Sequence, residues 1–113
     1  MMDIPPAELL ERIGAGDAPM ILDVRSAAEF AAGHIPGAIN IPFYAVPFRA
    51  AELGPRHDDL VIVYCGHGPR AHLASAALRA RGFTRVACLA GHMAEWLRAG
   101  HPMESSGPKA SHR

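Results

Sequence analysis

The chain has 113 residues, with 11 lysines and arginines against 11 aspartates and glutamates and a formal net charge of zero. That is enough for one domain with a single core, and it leaves no basic field for nucleic acid or an anionic membrane, so anionic ligands must be caught by a local, built site. No apolar run approaches the roughly 20 residues of a membrane span, and Met1 to Pro6 carries neither a positive n-region nor an apolar h-region, so a soluble cytoplasmic protein is expected. Pro5-Pro6 followed by Leu9, Leu10 and Ile13 predicts a first helix that stops near Gly14 or Gly16. Met20 to Val24 is a short β-type run. Ser26-Ala27-Ala28-Glu29 has the capping-box pattern and opens a second, short helix closed by Gly33; Gly33 to Gly37 is then a turn. Ala38 to Ile41 is the next strand. Pro47 belongs to the first turn of a third helix, beginning at Val46 or Pro47 and running to Leu53. Leu60 to Tyr64 is a strand, Arg70 to Arg81 a fourth helix stopped by Gly82, Arg85 to Leu89 a strand, and Met93 to Ala99 a fifth helix ending at Gly100. Strands alternating with helices predict an α/β fold with a mainly parallel sheet. The domain is expected to span residues 1–103, and 104–113, with no large apolar residue, reads as a disordered tail.

Val61 to Arg70 carries the chemistry. A buried parallel strand ending at Tyr64 sets Cys65 at its carboxyl end, where open α/β sheets place their ligands. Gly66 and Gly68 allow backbone conformations in which successive N–H groups, with the start of the fourth helix, converge on one point. Such donors hold a thiolate and an anionic substrate or leaving group. Arg70 adds a permanent planar cation; His67 lies inside the loop, and Pro69, which has no N–H, suits the first helical turn. The opposing reading makes Cys65 a small buried hydrophobe before an ordinary turn. Two cysteines build no disulfide framework, and a cysteine in a reactive loop fits a reducing compartment; a Cys65–Cys88 bridge is not predicted.

With these residues in view, the chain resembles a single-domain rhodanese from about Pro5 to Pro102. Asp23-Val24-Arg25, then Glu29-Phe30, then Gly33 to Pro42 resembles the family's amino-terminal signature; the Tyr64-Cys65 loop and Leu89 to Trp96 resemble its other two hallmarks. His92 stands where the family usually has a second glycine, and Pro69 is a less common loop residue. The resemblance implies a rhodanese-like three-layer α/β/α fold and a persulfide mechanism without a cofactor. Cys65 attacks the outer sulfur of thiosulfate or a persulfide donor and passes it to a thiol or cyanide, with Gly66, His67, Gly68, Pro69 and Arg70 binding the anion. Cys65 to Arg70 encloses four residues, whereas the related phosphatases and arsenate reductases carry five, which favours sulfur transfer. The alternative is a sulfur-carrier module that relays a persulfide to a protein acceptor.

Other residues have quieter readings. Asp23, Arg25 and Glu29 are expected to form a structural brace tying the end of the first predicted strand to the second helix, ahead of an acid–base role. His67 reads equally as a group that tunes the thiolate or as a solvent-facing histidine; His34 and His92 read first as structural and second as members of the site's rim. Seven histidines without His-x-x-x-His or Cys-x-x-Cys spacing predict no metal site. Cys88 is read as a core filler ahead of a resolving cysteine, and Trp96 as packed on the sheet. Arg79, Arg81 and Arg85 complement the end of the fourth helix, with an acidic partner as their second reading.

Overall fold

The computed structural model describes residues 3–105. Its five strands are β1 (Asp3–Ile4), β2 (Met20–Asp23), β3 (Ile39–Asn40), β4 (Val61–Tyr64) and β5 (Val86–Leu89). They form one sheet in the order β1-β5-β4-β2-β3, with every neighbouring pair parallel. The connections are made by α1 (Pro6–Gly14), α2 (Ala27–Ala32), α3 (Val46–Arg49) and α4 (Pro69–Ala80), and α5 (His92–Arg98) follows the last strand.

The period of two along each strand divides the core in half. Leu22, Val61, Val63, Cys65, Val86 and Cys88 face one side and pack against Val46, Ala50, Leu53, Ala71, Ala74 and Leu78, the buried residues of α3, its flanking turns and α4. Ile4, Ile21, Ile62, Tyr64, Ala87 and Leu89 face the other side, against Leu9 of α1 and Met93 and Trp96 of α5. The result is the three-layer α/β/α arrangement. All four residues of β4 and all four of β5 are buried, the pattern of strands covered on both faces. Burying each valine, isoleucine or leucine among them contributes about 1.5–3 kcal/mol relative to leaving it exposed. Among the described residues no helix is long and apolar enough to cross a membrane.

Three local differences from the sequence reading have physical causes. β1 is absent from that reading because two residues ending at a proline give no period to detect; it exists by pairing Asp3 with Cys88 and Ile4 with Leu89 at the sheet edge. The third helix is split into a 3-10 turn at Phe43–Ala45, one turn of α-helix, and a second 3-10 turn at Ala50–Leu53. Pro42 and Pro47 fix tight φ values on either side of the first turn, and a 3-10 closure tightens the end before Gly54, whose φ is 95°. Third, the sequence places the start of the tail at Glu104, whereas His34 and Glu104 exchange both backbone hydrogen bonds at 2.8 Å in an antiparallel bridge. Trp96 holds the same segment down, its indole N–H donating to Pro102 O at 2.9 Å. The remainder of the expected tail, 106–113, lies outside the described residues.

Candidate active site

The register of the sheet builds the site. Leu22, Val63 and Cys88 are aligned across β2, β4 and β5, so Cys65 leaves the carboxyl end of the central strand just beyond Cys88. It is 1% exposed. The chain then turns through Gly66 and His67 to Gly68, whose N–H donates to Cys65 Sγ at 3.0 Å. Gly68 has φ 139°, a conformation that calls for glycine, and a Cβ built there would touch His92 Nε2 at an ordinary 3.4 Å. Pro69 begins α4 at its first position, where a missing N–H leaves nothing unsatisfied. His67 is exposed.

The loop is clamped from the far side by α5. Met93 N–H donates to Cys65 O at 2.9 Å and Ala94 N–H to Gly66 O at 3.1 Å, while Cys65 N–H donates to His92 Nδ1 at 3.3 Å. His92 is the one non-glycine residue with positive φ among the described residues, at 55°. This conformation costs a side-chain-bearing residue roughly 1 kcal/mol or more. A glycine would adopt this conformation without that cost, and the bond from the Cys65 amide is what the imidazole gains there. Burial, reinforced by the field of His72, pushes the His92 pKa down, which keeps the accepting nitrogen unprotonated.

Arg70 closes the other side. Its guanidinium makes a paired contact with Glu29, Nη1 to Oε1 at 2.8 Å and Nη2 to Oε2 at 3.3 Å, and Nη2 lies 3.3 Å from where a Cβ of Gly66 would be. Glu29 is held in turn by the capping box of α2: its Oε1 accepts from Ser26 N–H at 2.9 Å and Ser26 Oγ accepts from Glu29 N–H at 3.1 Å. The hydrogen bonds from Arg70, then that from the Ser26 backbone, lower the Glu29 pKa from 4.5 to about 2. A depressed folded-state pKa means that this pair's contribution to stability is complete above the unfolded carboxylate's pKa and is lost as pH falls toward 2. A carboxyl-resonance titration is expected to place the Glu29 midpoint near 2, and Arg70→Gln to return it toward the ordinary range. An unchanged midpoint in that variant would show that Arg70 is not its partner.

Asp23 and Arg25 form the brace one strand away. Asp23 is 0% and Arg25 7% exposed. Arg25 Nη2 donates to Asp23 Oδ2 at 2.7 Å, Arg25 Nε to both carboxylate oxygens at 3.1 Å, and Arg25 N–H to Oδ1 at 2.9 Å. The same Nη2 donates to Gly33 O at 2.7 Å, tying the end of β2 to the end of α2. Glu29 does not join this pair but reaches across to Arg70.

Other sequence candidates separate from the loop. His34 is buried, stacked on Phe30 with centroids 3.7 Å apart and bonded through Nδ1 to Phe30 O at 2.7 Å, so it anchors the segment after α2. Arg79 donates to Val86 O at 2.8 Å and, with Arg85 and Arg12, lines a cleft at the amino ends of the strands. Cys88 is buried in β5, where Ser75 Oγ lies 3.7 Å from its sulfur, and burial pushes its thiol pKa up. Neither Cys65 nor Cys88 is in a disulfide. The sequence reading missed one grouping: His72, Cys88 and His92 offer donor atoms all within 4.8 Å of one another, a set that could hold a metal ion. They come from α4, β5 and α5, so no local spacing announces them. The link from Glu29 to Arg70 is equally invisible in the sequence, because 41 positions separate the two residues.

A central parallel strand that ends in a cysteine, a glycine turn and an arginine is a distinctive site for an α/β/α domain. The chain belongs to the rhodanese-like family, whose rhodanese-like domain model matches residues 5–99. A sulfurtransferase from Allochromatium vinosum is 35% identical over 101 residues, covering 89% of this chain and 92% of that one. The thiosulfate sulfurtransferase GlpE of Pseudomonas putida is 35% identical over 105 residues, covering 91% and 90%. The solved structure of a human single-domain sulfurtransferase matches with a TM-score of 0.73 at 31% identity, over 87% of this chain and 96% of that one.

Proposed function

We propose that this protein is a sulfurtransferase that moves sulfane sulfur from thiosulfate, or a persulfide donor, to a thiol or cyanide acceptor as a persulfide on Cys65. The observation that carries the reading is the Gly68 N–H aimed at Cys65 Sγ at 3.0 Å, at the carboxyl end of the central strand. The Cys65 thiolate attacks the outer sulfur of thiosulfate; a bond forms between the two sulfurs, the thiosulfate S–S bond breaks, and sulfite leaves with the electron pair. The persulfide's terminal sulfur carries the negative charge next to the loop amide, with the Arg70 guanidinium, anchored by Glu29, at the loop's edge. The acceptor's nucleophile then takes that sulfur and the Cys65 thiolate is regenerated. The four-residue loop between Cys65 and Arg70 supports this over phosphoryl or arsenate chemistry. Two thiols outside any disulfide suit a reducing compartment, and we place the protein in the cytoplasm.

The test is intact-mass analysis after thiosulfate, with released sulfite measured in parallel. The expected result is one added sulfur per chain, matched by sulfite and removed by cyanide or dithiothreitol. A protein that gains no sulfur with Cys65 reduced and intact would exclude thiosulfate as its donor. If persulfide donors on small thiols and on proteins also leave no adduct, sulfur transfer itself is excluded.

A further inference from the structure

We propose that His72, Cys88 and His92 form a zinc-binding site, separate from the Cys65 sulfur but sharing the His92 imidazole with the Cys65 backbone. The three donor atoms lie within 4.8 Å of one another. In a tetrahedral site, zinc bonds of about 2.0–2.3 Å set donors roughly 3.3–3.8 Å apart, so about 1 Å of closure completes the set. His72 is exposed on the first turn of α4, where its side chain is not packed in the core, whereas Cys88 and His92 are buried. The His72 and His92 rings meet edge to face, at 90° with centroids 6.1 Å apart, so they are neighbours without being stacked.

The donor set selects the metal. One thiolate and two imidazoles without a carboxylate suit zinc and discriminate against magnesium and calcium. Ser75, one turn beyond His72, donates to Ala71 O at 2.9 Å and sits 3.7 Å from Cys88 Sγ, where it supports the sulfur from outside the ligand set. Binding replaces the thiol proton with a zinc–sulfur bond and releases that proton to solvent. Protein ligands fill three positions and the fourth is open.

His92 makes the site matter to the loop. Its Nδ1 accepts the Cys65 N–H, so in the metal-free protein the ring proton is on Nε2. Zinc on Nε2 sends that proton to Nδ1, where it faces the Cys65 N–H and the hydrogen bond is lost. Zinc binding and the present position of the Cys65 amide are therefore alternatives. This holds whether or not Cys65 carries sulfur.

The test uses the full chain, reduced and metal-free, dialysed against zinc with metal analysis, and titrated with cobalt(II) as a spectroscopic probe of sulfur ligation. Expected are about one zinc per chain and a thiolate-to-cobalt absorption band, both retained in Cys65→Ser. His72→Ala, at an exposed position that cannot unfold the core, is expected to weaken zinc binding at least about tenfold. Cys88→Ser is expected to remove the cobalt band, and zinc to shift the Cys65 amide resonance. The site is refuted by substoichiometric zinc, by binding that survives both His72→Ala and Cys88→Ser, or by binding lost in Cys65→Ser. A Cys65 amide resonance that stays in place at saturating zinc would remove His92 from the ligand set.

Discussion

Cys65→Ser is expected to lose sulfane-sulfur transfer by at least about a thousandfold, the scale on which removal of a covalent nucleophile acts. The expectation rests on a contrast between the two cysteines. Cys65 directly follows β4 and its sulfur receives the Gly68 N–H, whereas Cys88 lies within β5, behind α4, with burial opposing its charged form. A serine at position 65 keeps a group able to accept the Gly68 N–H, so the loop stays supported and the cost in stability is small, about 1 kcal/mol. The measurement is steady-state sulfite release together with intact mass, beside Cys88→Ser as a control that retains the adduct. Should Cys65→Ser keep the added sulfur and Cys88→Ser lose it, the roles of the two thiols are reversed.

The elements with strong local signals were legible in the sequence. The Ser26 capping box, the prolines at the starts of α1 and α4, and the glycine after α4 each act within a few residues, and their helices stand within a residue or two of the predicted bounds. Cys65 was legible for a similar reason, since strand, glycines and arginine are contiguous. What escaped depends on the third dimension. β1 is two residues long and exists only because β5 offers it an edge. The partner of Arg70 sits 41 positions away on α2, and His92, Cys65 and Cys88 meet only when β4, β5 and α5 are laid side by side. His92 carried a signal of its own: a residue with a side chain, where the family usually has glycine, needs a compensating contact, and the Cys65 amide provides it.

Asp23→Ala is expected to be the most destabilising single change outside the apolar core, by about 3–5 kcal/mol, because it leaves the buried Arg25 guanidinium without its counter-charge. Arg25 would keep its bond to Gly33 O but lose every contact to the carboxylate, and Tyr64, whose hydroxyl accepts the Ile35 N–H at 3.1 Å, borders the same pocket with Arg25 5.7 Å from its ring centre. For a domain whose whole stability is of the order of 5–15 kcal/mol, such a loss brings the unfolding transition close to working temperatures. The double change Asp23→Ala with Arg25→Leu removes the stranded charge, and it is expected to recover part of the loss. Chemical denaturation of the parent, single and double variants measures both steps. A single variant within 1 kcal/mol of the parent would mean that Arg25 finds solvent without its partner, and that the brace does not hold this end of β2. The consequence reaches the proposed active site, because the brace fixes the end of α2 through Gly33. The opposite end of that helix presents Glu29 to Arg70. A partly folded Asp23→Ala protein is therefore expected to lose activity through a misplaced Arg70 at temperatures where the parent is unaffected, with Cys65 still able to take up sulfur in the fraction that remains folded.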